Sequence, residues 1–415
     1  MRGESPVRRL QSLSNLGIVL LSILAIAGLL WANYQFTSKR GGEGADFAIY
    51  WASARTMLFD GTTPYGELAS LKSQNLIYGL GGKPEEPPSR LDLPLHIETL
   101  IIPFSLVSNY QLARAVWMSV LEIALVLAVF LCLRTFRWRT NPVVGAEIIF
   151  FALFSVYGLW ALILGNAIIL VGLFLAAVLL ALRDNHVELA GILLGLSTFK
   201  FISVGLFIVF ILVWAAFQRK WRLFIPFVMT FVILATISFF FFPNWLVPYA
   251  QAVFTNLKFA DWMTPSVTFK EALPYAGERL GWLLSGLLAV VLLMEWWLAR
   301  KRDFQQMTWT ASLTIALSPL LGFPAYPQNH ILLIIPFIFG LSVLAHRWKS
   351  SSSLLISGII VVLFLLTWIM LFFATSRLTA LYFLFPVFIV VLLYWVRWWA
   401  VIRPQGHSTS LVNSL

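Results

Sequence analysis

An aspartate stands among glycines and aromatic rings in the stretch GGEGADFAIYWASARTMLFDGTTPYGE, Gly41 to Glu67. A positioned carboxylate such as Asp46 can take a proton from a hydroxyl group. Its neighbours suit a ligand recess. Gly41, Gly42 and Gly44 let a backbone approach a ligand closely, and Tyr50, Trp51 and Tyr65 supply rings and hydroxyls. An aspartate at a helix start also suits the N-cap, where it accepts backbone N–H bonds at the positive helix end. The two roles are compatible, because a capped carboxylate is also well oriented.

Other polar residues stand out against an apolar background. Lys200 closes AGILLGLSTFK; it suits pairing with a lipid phosphate, or plain snorkelling to the membrane surface. Gly191 and Gly195 in the same stretch allow close helix packing. His330, after SPLLGFPAYPQN, suits a phosphate or sugar hydroxyl, though a lone histidine is more often a satisfied polar residue. His96 and Glu98 share a short apolar segment and can face the cavity of Asp46. Asn166 in LGNAII reads first as a turn former. Asp261 and Trp262 lie in a loop, and Arg114 and Arg279 stand near helix ends where they also suit phosphate. Glu122, Glu147 and Glu295 fall toward the opposite side. The chain has no GxxxxGK[ST], HExxH or GxSxG. Cys132 is the only cysteine, so no intrachain disulfide or cysteine metal cluster can form. No metal or cofactor is expected.

The elements that must hold these residues are membrane helices. Of 415 residues 60% are hydrophobic and 11% charged, with mean hydropathy +0.86; soluble domains carry about a quarter charged residues. The expected fold is all-α, a polytopic bundle. Twelve spans are predicted, at 15–34, 110–133, 143–162, 165–182, 187–199, 202–217, 223–242, 280–299, 306–321, 330–345, 354–374 and 378–397. The first reads as a signal anchor, since WANYQFTSKR follows without a small-residue cleavage site. Two further helices are predicted to lie in the interface. One begins DFAIYWASARTML, with Phe47, Tyr50, Trp51, Ala54 and Leu58 on one apolar face; the other runs Leu95–Leu106. The linker LGGKPEEPPSRLDLP between them reads as loop.

The net charge of +11 comes from short clusters, RGESPVRR, RTFRWR, QRKWR, ARKRDF and HRWK, that alternate onto one side. Such clusters mark the cytoplasmic side of a membrane protein and do not call for nucleic acid. Both termini are then cytoplasmic. The loops at 35–109 and 242–279, which hold most acids, are extracytoplasmic, and residues 1–403 form one domain with a tail at 404–415.

In this order the motifs resemble the GT-C glycosyltransferases, and in particular glycosyltransferase family 87, the polyprenyl-phosphate-mannose-dependent mannosyltransferases. The resemblance rests on Asp46-Phe47-x-x-Tyr50, then Leu58, Gly61, Pro64 and Tyr65 in LFDGTTPY. Pro94, Pro103, Ala113, Trp117, Gly165-Asn166, Ala190-Gly191, Gly195, Lys200, Ser318-Pro319 and His330 continue it over residues 15–345. The chain departs in having Phe201 rather than proline after the lysine, and one late histidine. The resemblance implies inverting transfer of a hexose, mannose in that family, from a polyprenyl-phosphate donor to a lipid or glycan acceptor. It implies a plasma-membrane enzyme with its site outside and Asp46 as base. Lys200, Arg279 and His330 are the candidate phosphate ligands, and Tyr50, Trp51, Tyr65, His96 and Asn166 complete the candidate substrate site. Two rival readings are a secondary transporter or lipid flippase, whose site lies near the membrane centre, and a surface-polysaccharide polymerase or ligase.

Overall fold

The computed structural model describes residues 6–39, 44–79, 90–259, 264–323, 326–348, 352–373 and 379–402. Among them every long element is a helix. The first long helix, α1 (Pro6–Lys39), is followed by three short ones, α2 (Ala45–Phe59), α3 (Glu67–Tyr78) and α4 (Glu98–Ser105). Then come α5 (Tyr110–Thr135), α6 (Pro142–Phe154), α7 (Val156–Leu164), α8 (Ile168–Arg183), α9 (Val187–Leu196), α10 (Phe201–Phe217) and α11 (Phe224–Phe241). The chain continues through α12 (Leu246–Phe259), α13 (Pro265–Ala272), α14 (Gly277–Ala299), α15 (Phe304–Leu317), α16 (Ile334–Arg347), α17 (Ser352–Phe373) and α18 (Thr379–Arg397).

The helix starts follow from local chemistry. Asn109 accepts from the Leu112 N–H at 3.0 Å to begin α5, and Asn141 from Val144 at 2.7 Å to begin α6, where Pro142 takes the first position. Ser155 starts α7 and marks a 50° bend between α6 and α7. Gly158 permits that bend, since a Cβ there would lie 1.8 Å from the Ala152 carbonyl oxygen.

Large apolar side chains remain exposed along whole helices, Leu24 at 67% and Phe240 at 87% among them. A water-facing surface would not carry so many; lipid accounts for them. Among the described residues eight helical runs are long and apolar enough to cross a membrane, or nine if α6 and α7 make one bent span. The chain is thus a multi-pass membrane protein. The twelve predicted spans all fall on helices, yet several are not full crossings. The helix α8 has 16 residues and α15 has 14, short of the roughly 20 a crossing needs.

The stretch Val187–Phe217 is 31 residues long, but it is not one straight span. A Cβ on Gly191 would lie 2.3 Å from the Leu223 carbonyl oxygen, and one on Gly195 would lie 2.8 Å from Thr230. A straight helix from Gly191 to Phe217 would extend about 39 Å, too far for six further residues to bring Leu223 back to Gly191. The chain therefore turns back at the 3-10 segment Ser197–Lys200. The predicted hairpin is present, and Lys200 lies at its bend.

The helix α2 buries more than the one apolar face expected of it. Phe47, Tyr50 and Ala54 are buried as predicted, but so are Ala48, Ala52, Ser53 and Thr56. The small residues at 48, 52 and 53 let α3 and α4 pack closely against α2, so it is enclosed by protein on most sides.

Candidate active site

Asp46 lies in the first turn of α2, and the N-cap position belongs to Gly44. The capping role expected for Asp46 is therefore not the observed one. The reason for a glycine at position 44 also differs from expectation. A Cβ there would fall 2.4 Å from Arg114 Nε, and the Gly44 carbonyl accepts from the Tyr110 hydroxyl at 3.2 Å. The close approach is to α5, not to a ligand. Arg114, fully buried, donates from Nη2 to the Ile163 carbonyl at 3.0 Å and so ties α5 to the end of α7. Gly41, Gly42, Asp261 and Trp262 lie outside the described residues.

The carboxylate of Asp46 meets Asn166. The Asn166 side-chain amide donates to Asp46 Oδ2 at 2.7 Å, while its own Oδ1 accepts from the Ile168 N–H at 2.9 Å. The second bond fixes which way the amide faces. Asn166 is itself placed by Gly165, which ends α7 in a left-handed conformation with φ +71°. A Cβ at Gly165 would lie 2.7 Å from Phe47 Cβ, and the Gly165 carbonyl accepts from Trp117 Nε1 at 2.8 Å. So the turn, α2 and α5 lock together around one contact. Asn166 does form a turn, and it also orients the candidate base.

Asp46 keeps part of its surface accessible, but protein surrounds its carboxylate as it would a group lining a recess. Loss of solvation raises its pKa to about 6. Lys200 opposes the rise, Asp92 adds to it, and the Asn166 hydrogen bond opposes it. Two charges from distant parts of the chain thus reach Asp46: the cation at the hairpin bend, and an exposed carboxylate in the segment before α4. Asp92 belongs to the acid-rich loop 35–109 and carries no motif of its own.

Tyr50 stands one helical turn beyond Asp46. Its hydroxyl is hydrogen-bonded to the Ala167 backbone, and burial, with Asp46 and Asp92 nearby, holds its proton firmly. Tyr65 donates to the Leu93 carbonyl at 2.9 Å, and its ring lies 5.7 Å from that of Tyr249 on α12. Burial, with Glu98, Tyr249 and Asp92 close by, raises its pKa too. Tyr249 is pushed up to about 12 by burial and by Asp92. The charge of Asp92 thus acts on Asp46, Tyr50, Tyr65 and Tyr249. Neither Asp92 nor Tyr249 was singled out by sequence. The segment bearing Asp92 is pinned from α12, where Asn256 donates to the Arg90 carbonyl at 2.9 Å.

His96 and Glu98 are buried side chains in the segment that follows Asp92. His96 is buried in a 3-10 turn, Leu95–Ile97; desolvation lowers its pKa to about 4, so it is neutral. Glu98 has no exposed surface, burial raises its pKa well above the carboxylate range, and neither oxygen has a hydrogen-bond partner among the described residues. It lies near enough to Tyr50 and Tyr65 to raise the pKa of both.

The remaining candidates have other neighbours or stand exposed. Trp51 turns toward α5, edge-on to Tyr110 at 5.4 Å with the Arg55 guanidinium 4.8 Å from its ring centre. Arg279 is exposed in the first turn of α14 and is not among the charges acting on Asp46. His330, predicted at an outer helix start, is 1% exposed within the 3-10 segment Pro327–Leu333. Its ring lies 5.3 Å from that of Tyr157, and Tyr157 stacks on Phe385 of α18. The apolar run that follows His330 draws the segment into the core.

Residues 94–269 match the family model of glycosyltransferase family 87. The match supports glycosyltransferase activity, with a sugar donor and a glycan or lipid acceptor as substrates, and the all-helical membrane architecture fits the GT-C superfamily. The matched region holds Asn166, Lys200, Tyr249, His96 and Glu98, while Asp46 and His330 fall outside it. It is narrower than the 15–345 resemblance read from motifs. No curated protein matches the chain.

Proposed function

We propose that this chain is a membrane hexosyltransferase in which Asp46 is the general base. An acceptor hydroxyl on a lipid or glycan loses its proton to Asp46 as its oxygen attacks the anomeric carbon of a sugar carried on polyprenyl phosphate. The new bond forms on the face opposite the leaving group, so configuration inverts. The bond from the anomeric carbon to the phosphate oxygen breaks, and the electron pair leaves with the lipid phosphate. Lys200, at the hairpin bend, meets that negative charge. Tyr50 and Tyr65 line the sugar site, and Asp92 and Tyr249 stand at its mouth. Mannose is the sugar we assign, from the motif resemblance. Arg279, on the surface, and His330, in the core, have no role in this assignment.

The single observation that carries this reading is the oriented carboxylate. Asp46 is held at 2.7 Å by an amide whose direction is fixed, its pKa is raised to about 6, and a lysine acts on it from another helix pair. A base poised near neutrality suits removal of a hydroxyl proton. The side is assigned from the Lys/Arg-rich loops: termini in the cytoplasm, Asp46 at the outer face of the cell membrane.

The deciding experiment is a transfer assay in membranes containing the protein, with radiolabelled polyprenyl-phosphate-mannose as donor. Label should move into an acceptor fraction only when the chain is present. Label that moves instead from a nucleotide sugar would refute the donor assignment. Label that crosses the membrane without changing its carrier would favour a flippase.

A further inference from the structure

A cavity of about 360 Å³, part basic and part apolar in its lining, lies at the other end of the bundle. Two helices measure the separation. The helix α5 starts beside Gly44 and ends at Thr135, which lines the cavity. The helix α8 starts beside Asn166 and ends at Arg183, also in the lining, after about 24 Å of helix. The start of α15, the end of α16 and Trp399 beyond α18 close the remaining sides.

Three guanidinium groups, from Arg137, Arg183 and Arg347, line this cavity, and Asp303 is the one carboxylate in its lining. Asp303 already accepts from the Gln306 N–H at 3.1 Å. Arg183 is neutralised by Asp184 at 2.7 Å and also donates to the Arg134 carbonyl. Arg137 and Arg347 have no carboxylate partner among the described residues; Arg347 lies 5.8 Å from the Trp399 ring centre. The hydroxyls of Thr135, Thr308 and Ser342 donate to carbonyls of their own helices. His346 Nδ1 lies 2.6 Å from the Ser342 carbonyl oxygen, and Gln305 offers a neutral amide. The charged donors that face a ligand are the arginines, whose forked geometry matches a phosphate.

The rest of the wall is apolar. Phe136 meets Phe339 edge-on at 5.3 Å, and Phe304, Val343 and Trp399 continue the surface. A free phosphate would satisfy the arginines and leave this wall against water. A phosphate carrying a hydrocarbon chain satisfies both. The cavity lies at the end of the bundle whose loops carry the Lys/Arg clusters, where basic pockets between membrane helices take up anionic head groups. We infer that this cavity binds the phosphate head group of an anionic membrane lipid, at a site separate from the one at Asp46.

The test uses the full chain purified in detergent and native mass spectrometry with equal amounts of phosphatidylglycerol and phosphatidylcholine. Wild type should retain one phosphatidylglycerol in preference, by about tenfold, equivalent to about 1.4 kcal/mol. Arg137→Gln with Arg347→Gln should abolish the preference. Arg222→Gln, which changes an exposed arginine elsewhere on the same end, should leave it intact. Asp303→Asn keeps a competent helix cap and removes the opposing carboxylate, so it should tighten retention; a misfolded variant cannot mimic that gain. Equal retention of the two lipids, or an unchanged preference in the double variant, would overturn the site. Displacement of the lipid by millimolar inorganic phosphate would overturn the lipid as its ligand and leave phosphate alone.

Discussion

Asn166 reaches Asp46 across 120 residues of sequence and holds one of its carboxylate oxygens at 2.7 Å. The bond does two things at once. It orients the candidate base, and it limits the pKa rise that burial imposes.

Asp46→Asn removes the proton acceptor and keeps the volume. Turnover should fall by roughly two to four orders of magnitude, the usual share of general base catalysis. Because Gly44 occupies the cap position, the helix start keeps its geometry, and the variant should express and melt like wild type. Wild-type turnover in the purified variant would end the assignment.

The pH dependence follows from the raised pKa. Activity should rise with pH through a midpoint near 6, as Asp46 loses its proton. Stability should move the other way. A carboxyl with a folded pKa above its unfolded one favours the fold at low pH, and that contribution is lost as pH rises from about 4 through 6. Rate and thermal-melt profiles taken over pH 4 to 8 check both limbs.

Lys200→Ala should do two separable things. Donor use weakens, seen as a raised KM for the lipid-phosphate sugar, and the midpoint of the rate profile moves above 6 because a cation acting on Asp46 is gone. Lys200→Arg retains a positive charge and should keep much of both properties. A lysine that only snorkels would leave the midpoint where it was.

Gly165→Ala forces a side chain into left-handed backbone and against Phe47, at φ +71° with 2.7 Å to Phe47 Cβ. A loss of roughly 1–3 kcal/mol is expected from overpacking, read as a lower melting temperature. Activity should fall further than stability alone explains, because Asn166 moves with the turn.

Topology is open to a direct check. Cys132, the only cysteine, is fully buried, so the background for thiol labelling is low. Tyr275, fully exposed before α14, should as Tyr275→Cys react with an impermeant maleimide in intact cells. Labelling only after lysis would reverse the orientation.

The presence of the apolar helices and the bend at Lys200 were legible because hydropathy and the glycine spacing are local signals; how many of those helices cross the membrane was not. The i, i+4 relation of Asp46 and Tyr50 was legible for the same reason. The Asp46–Asn166 pairing was not, since no local period links residues so far apart; Asn166 alone reads as a turn. Asp92 looked like any solvated loop acid until α12 pinned its segment. The burial of α2 escaped notice because its small residues at 48, 52 and 53 read as neutral, whereas in the fold they admit two neighbouring helices. His330 was placed by its neighbours in sequence, and the apolar run after it carried it inward.

The reversal at Lys200 also bears on how the chain enters the membrane during synthesis. The helix α9 offers ten residues, too few for recognition as a span, and it ends in a polar turn. It is expected to enter only together with α10, as a pair, and to find its place once α11 has been made, because Gly191 and Gly195 seat against that later helix. Chains truncated after Phe217 should then leave α9 open to proteolysis, while chains extended through Phe241 protect it. Protection of α9 in the shorter chain would show that the arm settles without its partner.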